Sequence, residues 1–369
     1  MMAPSKGILI VVASLTGGGA ERVAAVWADG LAESGHRVTV LTDLSQPVTF
    51  MPSHRVRPVS FGLTPRPAGR GLRFASWAVV SRFRAAMALW RILRDERIDV
   101  IVDVGHQYGA EVLAIGRLKG VKLLQTDHNA CTRPADMPMR LRERWRKFVQ
   151  ARFYDAVTVL TEPDRREMSR IGVKNAVVLH NPLIFERYAG EGLREKVVVA
   201  VARPGALRIK GVDVLLEAWR GVSERHRDWR LRIVGVSPAD VGEYDGVETV
   251  PFRGDIAAEY RRAEIFVMPS RCEGWGLAAV EAMSQGCAAI ICDFEGRQRE
   301  YVADEVNGLV CRAGDAVGLE NAIERLICDD GLRRRLQLAA PDGLERFAPA
   351  LVARRLEKII YRVCGDSES

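Results

Sequence analysis

The stretch Ile265–Cys292, IFVMPSRCEGWGLAAVEAMSQGCAAIIC, reads as one complete strand–turn–helix–strand unit. Ile265–Pro269 is apolar at every position, so it predicts a strand covered on both faces rather than a half-solvated one. Gly274 and Gly276 punctuate the turn, and a helix begins near Gly276 and runs toward Gly286. Ala288–Cys292 is a second continuous apolar run. This strand–helix–strand grammar belongs to parallel sheets with helices on both faces.

Working outward, the same alternation fills the chain. Toward the N-terminus the runs Gly7–Ala13, Val38–Thr42, Arg55–Phe61, Val100–Val104, Lys122–Thr126, Ala156–Leu160 and Ala176–Leu179 predict strands. In the back half Val197–Ala202, Arg230–Gly235, Val247–Phe252 and Gly308–Val310 join the two already named. The alternation pauses over Asn181–Glu195, where Pro182, Gly190 and Gly192 mark a linker. The prediction is an α/β chain of two Rossmann-like domains, residues 1–185 and 186–348. A lone helical pattern over 349–369 has no strand after it and is expected to cross back to the first domain.

A length of 369 residues suits two domains of ordinary size. With 48% hydrophobic and 27% charged residues, neither disorder nor a fibrous repeat fits. No apolar run approaches the roughly 20 residues of a membrane span. MMAPSK followed by GILIVVA reads as a buried first strand, not a signal peptide, which makes a cytoplasmic location the expectation. The seven cysteines form no CxxC or Cys/His ligand spacing, so reduced thiols and no structural zinc are expected.

The net charge of +7 is unevenly spread. Residues 1–185 carry 27 Lys+Arg against 16 Asp+Glu, and residues 186–369 carry 27 against 31. A basic front half predicts an anionic partner: nucleic acid, a membrane surface or a phosphorylated substrate. Two amphipathic helical patterns lie there. Around Phe74–Arg97, Val79, Phe83, Ala86, Trp90 and Leu93 recur at helical spacing, with Arg84, Arg91 and Arg94 on one flank. Around Met139–Arg152, Leu141, Trp145 and Phe148 share a face, crowded by Arg140, Arg142, Arg144, Arg146 and Lys147. Each fits either a core-facing stripe with a solvated back or a surface that lies on an anionic membrane.

Three segments carry chemistry. Ser14–Val23, SLTGGGAERV, places three glycines between a strand and a helix, where backbone can approach an anion or sugar or simply turn tightly. Ala202-Arg203-Pro204 follows a strand and Lys210-Gly211 opens the next helix, a position that suits a diphosphate. In Pro269–Gly286, Glu273 precedes the helix and Glu281 lies within it, about two turns further on. Hydroxyl or cation partners are expected for these carboxylates, because an unpaired buried one is costly. No recognition helix or aromatic RNA-binding pattern accompanies the basic half, so nucleic acid is not the expected partner. The missing GxGxxG disfavours a dinucleotide enzyme.

EGWGLAAVE resembles the Glu-x7-Glu motif of the retaining glycosyltransferases of family 4 (GT4), which have the two-domain GT-B fold with parallel sheets facing an interdomain crevice. GGGAERV, LHNP (Leu179–Pro182), AR…KG, VPFRGDI (Val250–Ile256) and the run from Asp293 to NGLV resemble further motifs of that family, in order, over nearly the whole chain. The narrower likeness is to enzymes of bacterial cell-surface polysaccharide or lipid-linked glycan synthesis.

The resemblance implies a nucleotide-sugar donor, UDP- or GDP-linked, and transfer without a metal or other cofactor. Arg203 and Lys210 would hold the donor diphosphate. The Arg–Lys step is longer than the family commonly has, and Arg208 is the alternative to Arg203. Glu281 would meet the ribose hydroxyls. Glu273, with the amides of Gly274, Trp275, Gly276 and Leu277, would bind the sugar. Phe252 and Arg253 would flank the base, and Gly18 and Gly19 would approach from the first domain. His128, in Thr126-Asp127-His128-Asn129, matches a histidine near the transferring sugar. The acceptor would be a lipid-linked or other glycan, with the chain peripheral at the inner face of the cytoplasmic membrane. A nucleotide-sugar epimerase on the same fold is the alternative activity.

Overall fold

The computed structural model describes residues 4–45, 47–63, 72–105, 107–188, 190, 192–251 and 255–366. Its strands are β1 Gly7–Ser14, β2 Arg37–Asp43, β3 Arg57–Ser60, β4 Val100–Val104, β5 Lys122–Thr126, β6 Ala156–Val159 and β7 Ala176–Val178. They continue with β8 Glu195–Val201, β9 Arg230–Val234, β10 Val247–Val250, β11 Ala263–Met268, β12 Ala288–Asp293 and β13 Leu309–Arg312. Every apolar run read as a strand is one. They form two wholly parallel sheets, of order β3-β2-β1-β4-β5-β6-β7 and β10-β9-β8-β11-β12-β13. The chain divides into two compact units. The first holds residues 1–132, 137–182 and 349–369; the second holds 133–136 and 183–348.

Burial on both faces explains why the strands read as unbroken apolar runs. In β1, Ile8, Ile10 and Val12 pack with Trp27 and Leu31 of the helix Gly19–Glu33. Leu9 and Val11 point the other way, onto Ala85, Leu89 and Ile92 of the helix Leu72–Asp95. Each such side chain contributes on the order of 1.5–3 kcal/mol by leaving water. In the second unit Val198 and Ala200 of β8 pack with Leu215 and Trp219 of the helix Val212–Arg225.

The last helix, Pro349–Cys364, belongs to the first unit, where Val352, Leu356 and Ile360 join the core beneath Trp27 and Leu31. It lies close to the helix Gly19–Glu33 because Gly30 has no side chain: a Cβ there would stand 2.5 Å from that of Ala353.

The two amphipathic segments differ from a simple core-facing stripe. In Leu72–Asp95 the buried side is Ser81, Ala85, Leu89 and Ile92, whereas Val79, Phe83 and Met87 are exposed. The second segment is one turn of α-helix at Leu141–Arg144, a π turn at Trp145–Val149 and a 3-10 turn at Gln150–Phe153. Its exposed side carries Leu141, Trp145, Val149 and Phe153, while Lys147 turns inward and is buried.

In each sheet the strand order reverses beside the first strand of the unit: between β1 and β4, and between β8 and β11. Loops leaving the carboxyl ends of such neighbours run in opposite directions and open a crevice, where ligands of doubly wound sheets bind.

Candidate functional site

The second unit's site grows from β8 and β11. After β8, residues Arg203 to Gly211 make consecutive turns: Ala206 N donates to Arg203 O at 3.1 Å, and Lys210 N to Ala206 O at 2.9 Å. Gly211 ends them at φ +67°, where a Cβ would sit 1.9 Å from the carbonyl oxygen of Pro269. Only glycine lets the start of Val212–Arg225 come this near the end of β11.

That approach brings Lys210 to Glu273. Lys210 Nζ lies 2.5 Å from Glu273 Oε1, which also accepts from the buried Ser270 hydroxyl at 2.7 Å. Both charged side chains are partly covered. A cation and a carboxylate are thus held at the carboxyl ends of the two strands that flank the reversal of strand order. Arg203 is exposed and has no side-chain partner among the described residues. Arg208 is committed elsewhere, to Asp136 at 2.9 Å.

The glycine turn continues into the helix Leu277–Ser284 through Gly276, whose φ is +80°. A Cβ there would fall 2.5 Å from the Tyr301 hydroxyl and 2.7 Å from Met268 Cε. Tyr301 is buried, and its hydroxyl has no hydrogen-bond partner among the described residues. Burial, and then the charge of Glu273, push its pKa well above the usual phenol value. Trp275 points into the interior, edge-on to Tyr301 and to Phe347 at 5.6 and 4.9 Å. Its indole is therefore part of the core and does not line the surface beside Glu273.

Glu281 is buried about one turn into the same helix, and its Oε2 accepts from the Tyr260 hydroxyl at 3.4 Å. The hydroxyl partner expected from burial is present. The two glutamates of the motif do not share surroundings: one is paired with a lysine, the other with a tyrosine. Phe252 and Arg253 lie outside the described residues.

In the first unit, Gly18 precedes the helix Gly19–Glu33, and Glu21 folds back so that a Cβ on Gly18 would meet its Oε2. Gly19 is exposed. His128 follows β5. Its Nδ1 lies 3.1 Å from Asn181 Oδ1 and its Nε2 3.3 Å from Thr126 Oγ1, with the ring tilted against Trp27 at 5.4 Å.

The residues around His128 contain groups that sequence reading missed. Lys147 Nζ contacts Asp127 Oδ2 at 2.7 Å and donates to the carbonyl oxygens of Asn129 at 2.7 Å and Ala130 at 2.8 Å. Two ammonium protons are thus donated to the loop that carries His128, and the charge faces Asp127 on the same loop. Burial by itself would lower the Lys147 pKa, but Asp127, Cys131 and Asp164 together outweigh it and the value stands above the ordinary one. The reading of Lys147 as part of a solvated basic flank is thereby corrected. Ser270 and Tyr301 also went unread, since hydroxyls beside a motif carry no spacing signal of their own.

Family models described as Glycosyltransferase Family 4 and Glycosyl transferases group 1 match residues 17–187 and 195–329, one on each half of the chain. The chain is a family 4 glycosyltransferase. A phosphatidyl-myo-inositol mannosyltransferase of Mycobacterium leprae is 27% identical to this glycosyltransferase over 322 residues, 82% of this chain and 84% of that one. In fold it is similar to a sucrose-phosphate synthase from Thermosynechococcus elongatus, with a TM-score of 0.82 and 19% identity over 98% of this chain and all of the other. It is also similar to HepE of Anabaena, solved in complex with UDP and glucose, with a TM-score of 0.75 and 17% identity over 97% of this chain and all of the other.

Proposed function

We propose that this glycosyltransferase moves a sugar from a nucleotide-diphosphate donor, UDP- or GDP-linked, to a lipid-linked or glycan acceptor, with retention at the anomeric carbon. The observation that carries the reading is the Lys210–Glu273 pair at 2.5 Å, at the carboxyl ends of the strands beside the sheet's switch point. A diphosphate leaving group needs fixed positive charge, and a sugar needs a carboxylate to accept from its hydroxyls. Lys210 supplies the first and Glu273 the second. Arg203, without a competing partner, joins Lys210 on the diphosphate in preference to Arg208.

Departure of the diphosphate leaves negative charge on its oxygens and cationic character on the anomeric carbon. Lys210 and Arg203 stabilise the first and the Glu273 carboxylate faces the second. These side chains take the charge-neutralising role, so transfer proceeds without a divalent ion. Glu281 serves the ribose once its Oε2 is shared between Tyr260 and a sugar hydroxyl. The solved HepE complex with UDP and glucose supports this donor class. The mannosyltransferase relative, named for a phosphatidylinositol, supports an acceptor borne on lipid. So do the exposed rows Val79–Phe83–Met87 and Leu141–Trp145–Val149–Phe153, flanked by arginines, which suit peripheral contact with an anionic bilayer.

The test is a nucleotide-sugar panel read by mass spectrometry, in the presence of EDTA. The expected result is transfer or slow hydrolysis of one donor, which Glu273→Ala and Lys210→Ala each reduce at least about a hundredfold. Undiminished turnover in both variants overturns the site. Isomerisation of the donor without any acceptor overturns transfer in favour of epimerisation.

A further inference from the structure

Beside the Lys147 clamp the first unit holds a cavity of about 250 Å³. Among the described residues its wall brings together Arg140, Arg142, Arg146 and Lys147 against two carboxylates, Asp127 and Glu143. Asp127 is already neutralised by Lys147 at 2.7 Å. Arg146 also feels the charges of Glu111 and Asp103 beyond the wall, but on the wall itself three arginines remain against Glu143. None of the three has a side-chain hydrogen bond or ion pair among the described residues, while their neighbours Arg82 and Arg117 are paired with Glu111 and Asp155.

The local backbone sets this arrangement. Arg142 and Arg146 are four residues apart and share a face of the helical segment. In a regular α-helix residues four apart drift by about 40° per step. The wider π turn at Trp145–Val149 counters that drift. It keeps Leu141, Trp145, Val149 and Phe153 in one outward row while Lys147 turns in. Arg146 is half-buried, and its pKa is lowered first by burial and then by the charges of Arg142 and Arg82. A multiply charged anion in the cavity would relieve that repulsion, and guanidinium forks match phosphate oxygens in geometry.

We propose that this cavity binds a phosphoryl group of the acceptor, or of the lipid that carries it, with Arg142 and Arg146 as the main ligands and Arg140 at the rim. Only in calling that group part of the acceptor does the assignment rest on the glycosyl-transfer reading. The apolar row on the same segment places hydrocarbon beside the phosphoryl site, so the ligand chemistry is that of an amphiphilic phosphate ester.

Calorimetric titration of the full chain tests this, with Lys210→Ala present so that the donor site's cation is gone. The ligands are inorganic phosphate, dioctanoyl phosphatidate and, as the phosphate-free control, dioctanoylglycerol. Saturable binding of phosphatidate is expected, with affinity falling at least about tenfold when Arg142→Gln and Arg146→Gln are added, and partly restored by Lys at both positions. Phosphatidate bound more tightly than inorganic phosphate identifies a lipid-borne group; equal affinity identifies a soluble phosphate ester. Both outcomes uphold the site.

Unchanged affinity in the double variant, no binding of either phosphate ligand, or equal binding of dioctanoylglycerol and phosphatidate overturns it. A thermal unfolding transition like the parent's shows that the variant is folded; if it is lost, the single Arg142→Gln, at an exposed position, takes its place. Failure of every donor in the panel would sink glycosyl transfer and leave this titration standing.

Discussion

Lys147 and Asp127 illustrate how a single buried pair can hold a functional loop. Removing the ammonium would leave Asp127 charged in the interior and two carbonyl oxygens without their donor. Breaking one side of a buried pair costs about 3–5 kcal/mol, whereas replacing both members with matching neutral groups costs far less. Lys147→Met is therefore expected to destabilise the chain by about 3 kcal/mol in urea unfolding, and Lys147→Met with Asp127→Asn by about half of that. Additive losses in the double variant would show that the two charges do not depend on each other. Glu273 and Lys210 stood out in the sequence because each lies between an apolar run and a helix, next to glycine. Lys147 was not: its partner is twenty residues away in sequence, and a lysine among four arginines looks like solvated charge.

At the scale of elements, the contact between Gly19–Glu33 and Pro349–Cys364 depends on one missing methyl group. Alanine at Gly30 gains about 1 kcal/mol of helix propensity. Its Cβ, however, would stand 2.5 Å from that of Ala353, and overpacking of a fixed contact costs about 1–3 kcal/mol. The steric cost is expected to win. Gly30→Ala should lower the unfolding midpoint, and adding Ala353→Gly should restore it, because the methyl then sits on the other helix. A midpoint raised by Gly30→Ala alone would mean that the last helix does not pack this tightly. The existence and type of both helices could be read from apolar spacing. Their closeness could not, since a mid-helix glycine reads only as a weak point. The π turn in Leu141–Phe153 was equally hidden, because the residues around it suit an ordinary helix.

For the whole molecule, charge and apolar surface coincide. The basic excess of residues 1–185 falls in the half of the chain that carries both exposed apolar rows. No helix among the described residues is long and apolar enough to cross a membrane. Binding to a bilayer would therefore be interfacial, electrostatic in range and apolar in depth. Vesicles rich in anionic lipid are expected to sediment the chain at low salt, and neutral vesicles to leave it in solution, with release as the ionic strength rises. Arg91→Gln with Arg144→Gln should weaken the binding about tenfold or more, since each cation near an anionic surface contributes about 1 kcal/mol. Equal binding to neutral vesicles would remove the electrostatic account.

The sequence by itself determined the strand set, the parallel sheets and the family. These follow from local rules: buried parallel strands must be apolar at every position, and tight approaches at strand ends demand glycine. It also marked Glu273 and Lys210 as chemistry. Only the tertiary structure decided that these two form a pair and that Glu281 leans on Tyr260. It alone turned Lys147 inward and left Arg140, Arg142 and Arg146 around one cavity with no ion-pair partner among the described residues. Those facts depend on which side chains from distant segments meet. A charge is spoken for or free according to its neighbours in space, and composition and spacing along one chain do not record them.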